Sequence, residues 1–372
     1  MKVLQIAPLW ETVPPGAYGG TEAVVHVLVE ELVRRGHDVT LWASGDSRTS
    51  ARLQSCFPRS LRTAHDLECK SVYSWQHAAL ALKDAADYDI IHNHGGEEVM
   101  ALSHLAPGAP MLTTMHCLIT PDTRFVWDRY SGYYNTISWA QRRAMPEVAG
   151  GVFAGVTHNG IDVASFPYAE KKDDYLLFLA RISPEKGPHL AVEVARRTGR
   201  RLIMAGKVDP ADFNFFLTAV APLIDGDQVR FVGEADAKLK RQLYRNAYCV
   251  LNPIVWDEPF GLVMAEAQAC GTPVLSFSRG AAPEIIRDGV TGFLVEDVEQ
   301  MAAAVSRAPQ IDPRACRSHV ERHFDAPVMA ASYLRMYESI LHSSAAQSTR
   351  SAAAGRALMV REANGVGSTQ VA

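Results

Sequence analysis

Two carboxylates eight residues apart, Glu258 and Glu266, stand in the stretch EPFGLVMAEAQACG. The first precedes a Pro-Phe-Gly turn and the second falls within a run of helix formers, residues 262–269, so one acid sits at the mouth of a helix and the other on its second turn. An apolar strand over 250–252 leads into the turn, and a Gly-Thr-Pro break leads out to another over 274–277. Ligands of open α/β sheets collect where strands end and helices begin, because unpaired N–H groups point outward there and the helix dipole favours anions. Gly261 lets the backbone approach a ligand closely. Acids beside such an anion site are out of place unless they accept hydrogen bonds from a hydroxyl-rich ligand whose phosphates fill the helix end. A sugar nucleotide distributes its groups in that way.

Cations for those phosphates stand in RISPEKG, where Arg181 and Lys186 follow a strand over 175–180. Charge-assisted hydrogen bonds contribute roughly 1.5–3 kcal/mol each, against about 0.3–1 kcal/mol from an exposed helix terminus. The two cations therefore dominate affinity for a diphosphate. In the first half, the strand over 111–115 delivers His116 at its ligand-facing end. Gly19 and Gly20 open a helix whose first N–H groups can meet a phosphate. They do not form a dinucleotide G-x-G-x-x-G, so they lend no support to an NAD site.

The elements that position these groups alternate strand and helix. Strands are expected over 3–7, 39–43, 90–91, 111–115, 134–138 and 152–156, then over 175–180, 201–205, 229–232, 250–252 and 274–277. A segment over 44–70 reads as looser. Helices are expected from Thr21 to Gly36, over 72–85 and 236–247, from near 188, 298 and 313, and over 327–341. Ser138 is placed to cap a short helix. Residues 343–372, rich in Ala, Ser and Gly without a sustained apolar face, read as disorder or a marginal helix.

With these motifs assembled, the chain resembles the retaining glycosyltransferases of family four, whose signature is E-x(7)-E followed by a Gly-x-Pro-Val strand. Here that signature is Glu258, Glu266, Gly271, Pro273 and Val274. The resemblance implies a GT-B fold: two Rossmann-like α/β domains facing across a cleft, over 1–162 and 163–326, with a helix over 327–342 crossing back to the first. It implies transfer of a hexosyl group from a nucleotide-diphosphate sugar, UDP- or GDP-linked, to an acceptor hydroxyl with retention, with no metal and no cofactor. In the family's pattern Glu258 meets the donor sugar and Glu266 the ribose hydroxyls. Arg181 and Lys186 hold the diphosphate, with Phe260, Gly261 and Leu262 at the helix start. The Gly19–Gly20 loop touches the distal phosphate and the acceptor, and Val232 lies against the base through its backbone. A histidine after a strand is as a rule a satisfied structural residue; the resemblance instead puts His116, in Thr113-x-x-His116, beside the donor sugar. The hinge motif THNGID, residues 157–162, departs from the family in carrying His158 where a proline is usual. The acceptor, whether a sugar, a lipid-linked sugar or a small molecule, is not readable from these motifs, nor is the oligomeric state. A nucleotide-sugar 2-epimerase shares the two-domain plan and would isomerise its sugar without an acceptor. A noncatalytic nucleotide-sugar-binding protein would keep Glu266, Arg181 and Lys186 and turn nothing over.

Composition excludes several other classes. At 372 residues there is length for two domains. A net charge of −4 argues against a nucleic-acid partner. No run of roughly 20 apolar residues spans a bilayer, and Pro8 and Glu11 interrupt any leader-like apolar core. A cytoplasmic location follows, with peripheral membrane contact left open. Six scattered cysteines without a C-x-x-C pair read as reduced thiols. Asp87 with Asp89, and Asp225 with Asp227, precede strands and read as turn acids. His92 and His94 lack a third ligand of suitable spacing, so no metal site is expected.

Overall fold

The computed structural model describes residues 1–106 and 108–365. Its first sheet comprises β1 (Lys2–Ile6), β2 (Asp38–Trp42), β3 (Arg52–Gln54), β4 (Ile90–Asn93), β5 (Met111–Met115), β6 (Tyr133–Thr136) and β7 (Val152–Val156), in the order β3-β2-β1-β4-β5-β6-β7. The second comprises β8 (Tyr175–Leu179), β9 (Arg201–Ala205), β10 (Val229–Phe231), β11 (Cys249–Asn252), β12 (Val274–Phe277) and β13 (Gly292–Val295), in the order β10-β9-β8-β11-β12-β13. Neighbouring strands pair in parallel in both sheets. Such strands are covered on both faces, which is why they read as continuous apolar runs: Leu4, Ile6, Ile90, Ile91, Leu176, Leu177, Val250 and Leu275 are fully enclosed. Strand order reverses between β1 and β4 in one lobe and between β8 and β11 in the other. Those reversals open the crevices where ligands settle.

The lobes are joined twice. Residues 157–162 carry the chain across, and the return at Asp325 bridges to Ile161, whose N–H donates to the Phe324 carbonyl at 2.9 Å. The Gly160 N–H points at Met329 Sδ, 3.0 Å away. The returning helix, Ala326–Gly365, then buries Met329, Tyr333, Met336, Tyr337 and Ile340 in the amino-terminal core. Five large side chains at about 1.5–3 kcal/mol apiece make this a structural strap rather than a loose tail.

The sequence reading differs from the fold in several places, among them the unexpected short helices Glu97–Leu102 and Pro121–Trp127. The looser segment contains β3, whose polar Arg-Leu-Gln offers no apolar signal. Strand β13 was not expected: it begins at Gly292, where a Cβ would lie 2.0 Å from the Val274 carbonyl, so close strand packing demands the residue that most weakens strand propensity. The terminal helix, expected to end near 341, continues to Gly365, as its alanine content allows. That covers most of the segment read as disorder or marginal helix; residues 366–372 lie outside the described residues.

Candidate functional site

Strands β8 and β11 flank the switch point of the second sheet, and their following loops hold the expected cations and carboxylate. Lys186 Nζ pairs with Glu258 Oε2, which also accepts from Trp256 Nε1 at 2.9 Å, and the same ammonium lies 5.0 Å from the centre of the Trp256 ring. Arg181 donates to Glu185 at 2.5 Å and stands 3.7 Å from Asp209, while its Nε–H is buried without an acceptor. Lys207, at the end of β9, pairs with Asp209 at 2.5 Å. Each cation is thus held by a carboxylate, and an incoming diphosphate must exchange oxygen for oxygen.

The helix Leu262–Ala269 starts at Gly261, whose left-handed φ of +87° strains any other residue and where a Cβ would lie 2.7 Å from Met264 Cε. Its first N–H groups lack intrahelical acceptors. A Cβ on Gly20 would touch Leu262 Cδ1 at 3.6 Å, so the Gly19–Gly20 loop of one lobe closes onto the helix start of the other. Gly19 itself has φ +143° and sits against Pro15. Phe260 is 2% exposed and packs its ring against Phe324 and His158, so only its backbone is free to face a ligand. Glu266, on the buried face of the same helix, takes Lys240 Nζ at 2.6 Å on one oxygen and the Tyr244 hydroxyl at 3.0 Å on the other. Each oxygen keeps a second lone pair for a hydroxyl ligand. Val232 follows β10 with its N–H donated to the Met204 carbonyl and its side chain substantially exposed.

On the facing lobe, His116 follows β5. The residue is half-buried, and burial lowers its pKa to about 4, so it is neutral at physiological pH. Its Nε2 lies 2.9 Å from His94 Nδ1, and His94 Nε2 lies 3.0 Å from Gln5 Oε1. Gln5 Nε2 donates to the Tyr337 hydroxyl at 3.0 Å, which lies 2.6 Å from His92 Nδ1; His92 Nε2 lies 2.6 Å from Thr114 Oγ1, which donates to Asn135. Reading along this chain assigns the protons. Gln5 Oε1 only accepts, so His94 carries its hydrogen on Nε2, and His116 must donate from Nε2 and keep Nδ1 as an acceptor. The histidine pair therefore spends its polarity on a network that reaches the returning helix, and no group of three His, Cys, Asp or Glu able to hold a metal is found among the described residues. Asp225 accepts the N–H groups of Asp227 and Val229, as a turn acid does, whereas Asp89 accepts the Lys2 N–H at the start of β1.

The two halves of the site meet. Burial raises the Cys117 thiol, next to His116, and the charges that act on it after burial are Glu97, Glu258 and Arg181. Burial also raises the Tyr18 hydroxyl, opposed by Arg181 and reinforced by Asp209, Glu22 and Glu258. Arg181 and Glu258 of one lobe thus face Tyr18 and Cys117 of the other. Lys207 lies 5.1 Å from the Tyr18 ring centre. Further contacts hold the lobes together: Arg62 grips Glu234 at 2.7 and 2.8 Å, and Glu234 also accepts the Tyr18 N–H. Glu284 accepts the N–H groups of Trp139 and Ala140 at the first turn of the helix Trp139–Ala144, which Ser138 caps as expected. The sequence offered no periodic signal for these cross-lobe partners; the resemblance of SRGAAPE to the family's Gly-x-x-Pro-Glu loop pointed to Glu284 as orienting its own loop, and the fold adds His158 of the hinge, 2.8 Å away.

Comparison with known proteins agrees with this architecture. Residues 162–314 match the model for "Glycosyl transferases group 1", and residues 18–154 the model for "Glycosyltransferase Family 4". The chain is similar to a phosphatidyl-myo-inositol mannosyltransferase of Mycolicibacterium smegmatis, 29% identical across 68% of this chain and 72% of that one. It is also similar to a glycogen synthase of Mycobacterium tuberculosis, 26% identical across 91% and 94%. Among solved structures it resembles AviGT4, a glycosyltransferase involved in avilamycin A biosynthesis, with a TM-score of 0.72, 25% identity and coverage of 92% of this chain and 98% of that one. With a family model on each lobe, two parallel α/β sheets facing one another and a terminal helix strapped across them, the chain belongs to the group 1, family four glycosyltransferases of GT-B fold.

Proposed function

We propose that the cleft transfers a hexosyl group from a nucleoside-diphosphate sugar, UDP- or GDP-linked, to an acceptor hydroxyl with retention of configuration and without a metal. The observation that carries this reading is the junction of Lys186 with Glu258, which joins a cation suited to a diphosphate to a carboxylate suited to sugar hydroxyls at the start of a helix. On this reading the bond from the anomeric carbon to the diphosphate breaks as the acceptor oxygen bonds to the same face, and the acceptor's proton passes to the departing phosphate oxygen. Arg181, Lys186 and the N–H groups of Gly261 and Leu262 stabilise the charge growing on the leaving group, so protein cations supply what a metal supplies elsewhere. Neutral His116 and Glu258 hold the sugar, and Glu266 holds the ribose. The ion pairs across the lobes keep water from the anomeric carbon while the donor waits.

The test is a panel of UDP-, GDP- and ADP-sugars offered to the purified protein in chelator, following binding, slow hydrolysis and the anomeric configuration of product. One sugar nucleotide turned over with retention is expected. Inverted product, or turnover abolished by chelator, overturns the retaining or the metal-free part respectively. Isomerised sugar without acceptor would identify an epimerase, and binding without turnover a nucleotide-sugar-binding protein. Among the described residues no helix is long and apolar enough to cross a membrane.

A further inference from the structure

The two curated relatives pull the acceptor in opposite directions, since phosphatidyl-myo-inositol carries a phosphodiester and glycogen is an uncharged glucan. A cavity of about 230 Å³ lies where β1 and β4 reverse the strand order of the amino-terminal sheet, walled by Pro8, Trp10, His77, Gly95, Glu98 and Val99. We propose that this cavity is the acceptor subsite of the transferase reaction set out above, on which this inference rests, and that it takes an uncharged, hydroxyl-rich ring, a sugar or polyol, in preference to a phosphate-bearing one.

Position supports the first part. Gly95 directly follows His94, whose ring bonds to His116, and Glu97, beside Glu98, acts with Glu258 and Arg181 on Cys117. The cavity is therefore adjacent to the crevice that holds the expected reacting groups. Its size, below the roughly 300–1,000 Å³ of sites for drug-sized ligands, suits a single ring.

Charge supports the second. No lining residue is a lysine or arginine. His77 is neutral, because burial lowers its pKa to about 4, and its Nε2 lies 3.0 Å from the Ala7 carbonyl. The Glu98 carboxylate, on the helix Glu97–Leu102, makes no hydrogen bond or ion pair with another described residue and can accept from hydroxyls. A phosphate placed there would meet that carboxylate as a like charge with no cation in the wall, an arrangement that excludes the wrong partner as effectively as contacts select the right one. Trp10 is 45% exposed and presents an aromatic face of the kind that the C–H side of a sugar ring covers. Lys70 is not part of the wall: its ammonium lies 5.2 Å from the Trp10 ring centre and donates to the Leu61 carbonyl at 2.6 Å while keeping its charge.

The experiment uses the full chain, the sugar nucleotide found by the donor panel, and matched acceptors: methyl glucoside, methyl mannoside, maltose and myo-inositol against glucose 6-phosphate, mannose 6-phosphate and myo-inositol 1-phosphate. At least one neutral acceptor should accelerate donor consumption with a KM ten or more times below that of its phosphorylated counterpart. Glu98→Gln and Trp10→Ala should each raise the acceptor KM at least tenfold while the donor KM moves less than twofold, and Glu98→Lys should shift preference at least tenfold toward the phosphorylated member of a pair. Preference for phosphorylated acceptors, no response to either set, or acceptor KM values unmoved by the conservative Glu98→Gln would each overturn the proposal. Absence of donor binding and hydrolysis in the wild-type protein would instead overturn the parent reading.

Discussion

His158 Nε2 lies 2.8 Å from Glu284 Oε2, so the hinge of one crossing is hydrogen-bonded to a carboxylate that simultaneously accepts two backbone N–H groups from the opposite lobe. Burial works against the Glu284 anion, but the His158 bond and the Trp139 and Ala140 N–H groups outweigh it and hold the carboxyl below its usual range. Three groups of the first lobe and its hinge thus converge on one side chain of the second. Glu284→Ala removes the acceptor of two helix-start donors, of which the Trp139 N–H is exposed enough to turn to water and the Ala140 N–H is part-buried, for a net loss of about 1 kcal/mol. We expect faster amide exchange at 138–142 and a several-fold rise in KM for both substrates, because the closed arrangement becomes less populated. Exchange indistinguishable from wild type would show that the clamp does not govern closure.

The Lys186–Glu258 pair predicts opposite effects from its two halves. Lys186→Ala removes a charge-assisted contact to the diphosphate and should weaken nucleoside-diphosphate binding by about 10–100-fold, the equivalent of roughly 1.5–3 kcal/mol. Glu258→Gln frees Lys186 from its carboxylate, so calorimetry should find nucleoside diphosphate bound at least as tightly as by wild type. Turnover should nonetheless fall at least tenfold if Glu258 holds the sugar. Full turnover in Glu258→Gln removes it from any required role.

Much of this layout was legible because it follows from strand order rather than from detailed packing. Arg181, Lys186 and Glu258 each follow an apolar strand, and adjacent β8 and β11 bring their loops together at a switch point, as the doubly wound pattern requires. What escaped notice depends on tertiary contact. Tyr18 lies in a glycine-rich loop and Glu234 in a polar one, and nothing in either segment announces that they meet across the cleft. The same holds for Trp10 and Glu98, 88 positions apart in sequence, which share a cavity wall because β1 and β4 are neighbours. Phe260 illustrates the reverse: its motif suggested the ligand, while the ring went to the core.

Tyr337 touches no expected substrate position, yet its hydroxyl joins Gln5 to His92 and stands two hydrogen bonds from His94 in the chain that orients His116. Tyr337→Phe keeps the packed ring and deletes that junction, so Gln5 loses the bond that fixes its amide orientation. The His116 hydrogen should then distribute between Nε2 and Nδ1. Nitrogen-15 NMR of labelled histidine should show a mixed tautomer, with kcat reduced and the donor KM little changed. A purely structural role for the hydroxyl would lower stability and leave the His116 resonances in place.

Buried ionisable groups predict how stability follows pH. Burial depresses the pKa values of His77 and His116 to about 4, and those of His92 and His94 well below their usual value. Unfolded histidine titrates near 6.5, so the folded state binds fewer protons below that pH, and the stability these groups contribute is present above 6.5 and lost as pH falls toward 4. For His77 and His116, held near 4, this amounts to roughly 3 kcal/mol apiece. Glu22 acts in the opposite sense. Burial raises it to about 7 against the bonds from its own and the Glu11 N–H groups, so its contribution is present below about 4.5 and lost as pH rises through 7. Four histidines outweigh one glutamate, and urea unfolding should show stability increasing between pH 4.5 and 6.5. The two effects separate in Glu22→Gln, which has no charge to bury: its stability relative to wild type should improve by up to roughly 3 kcal/mol between pH 4.5 and 8. A difference that stays flat over that interval would mean Glu22 ionises in the folded protein as readily as in the unfolded chain.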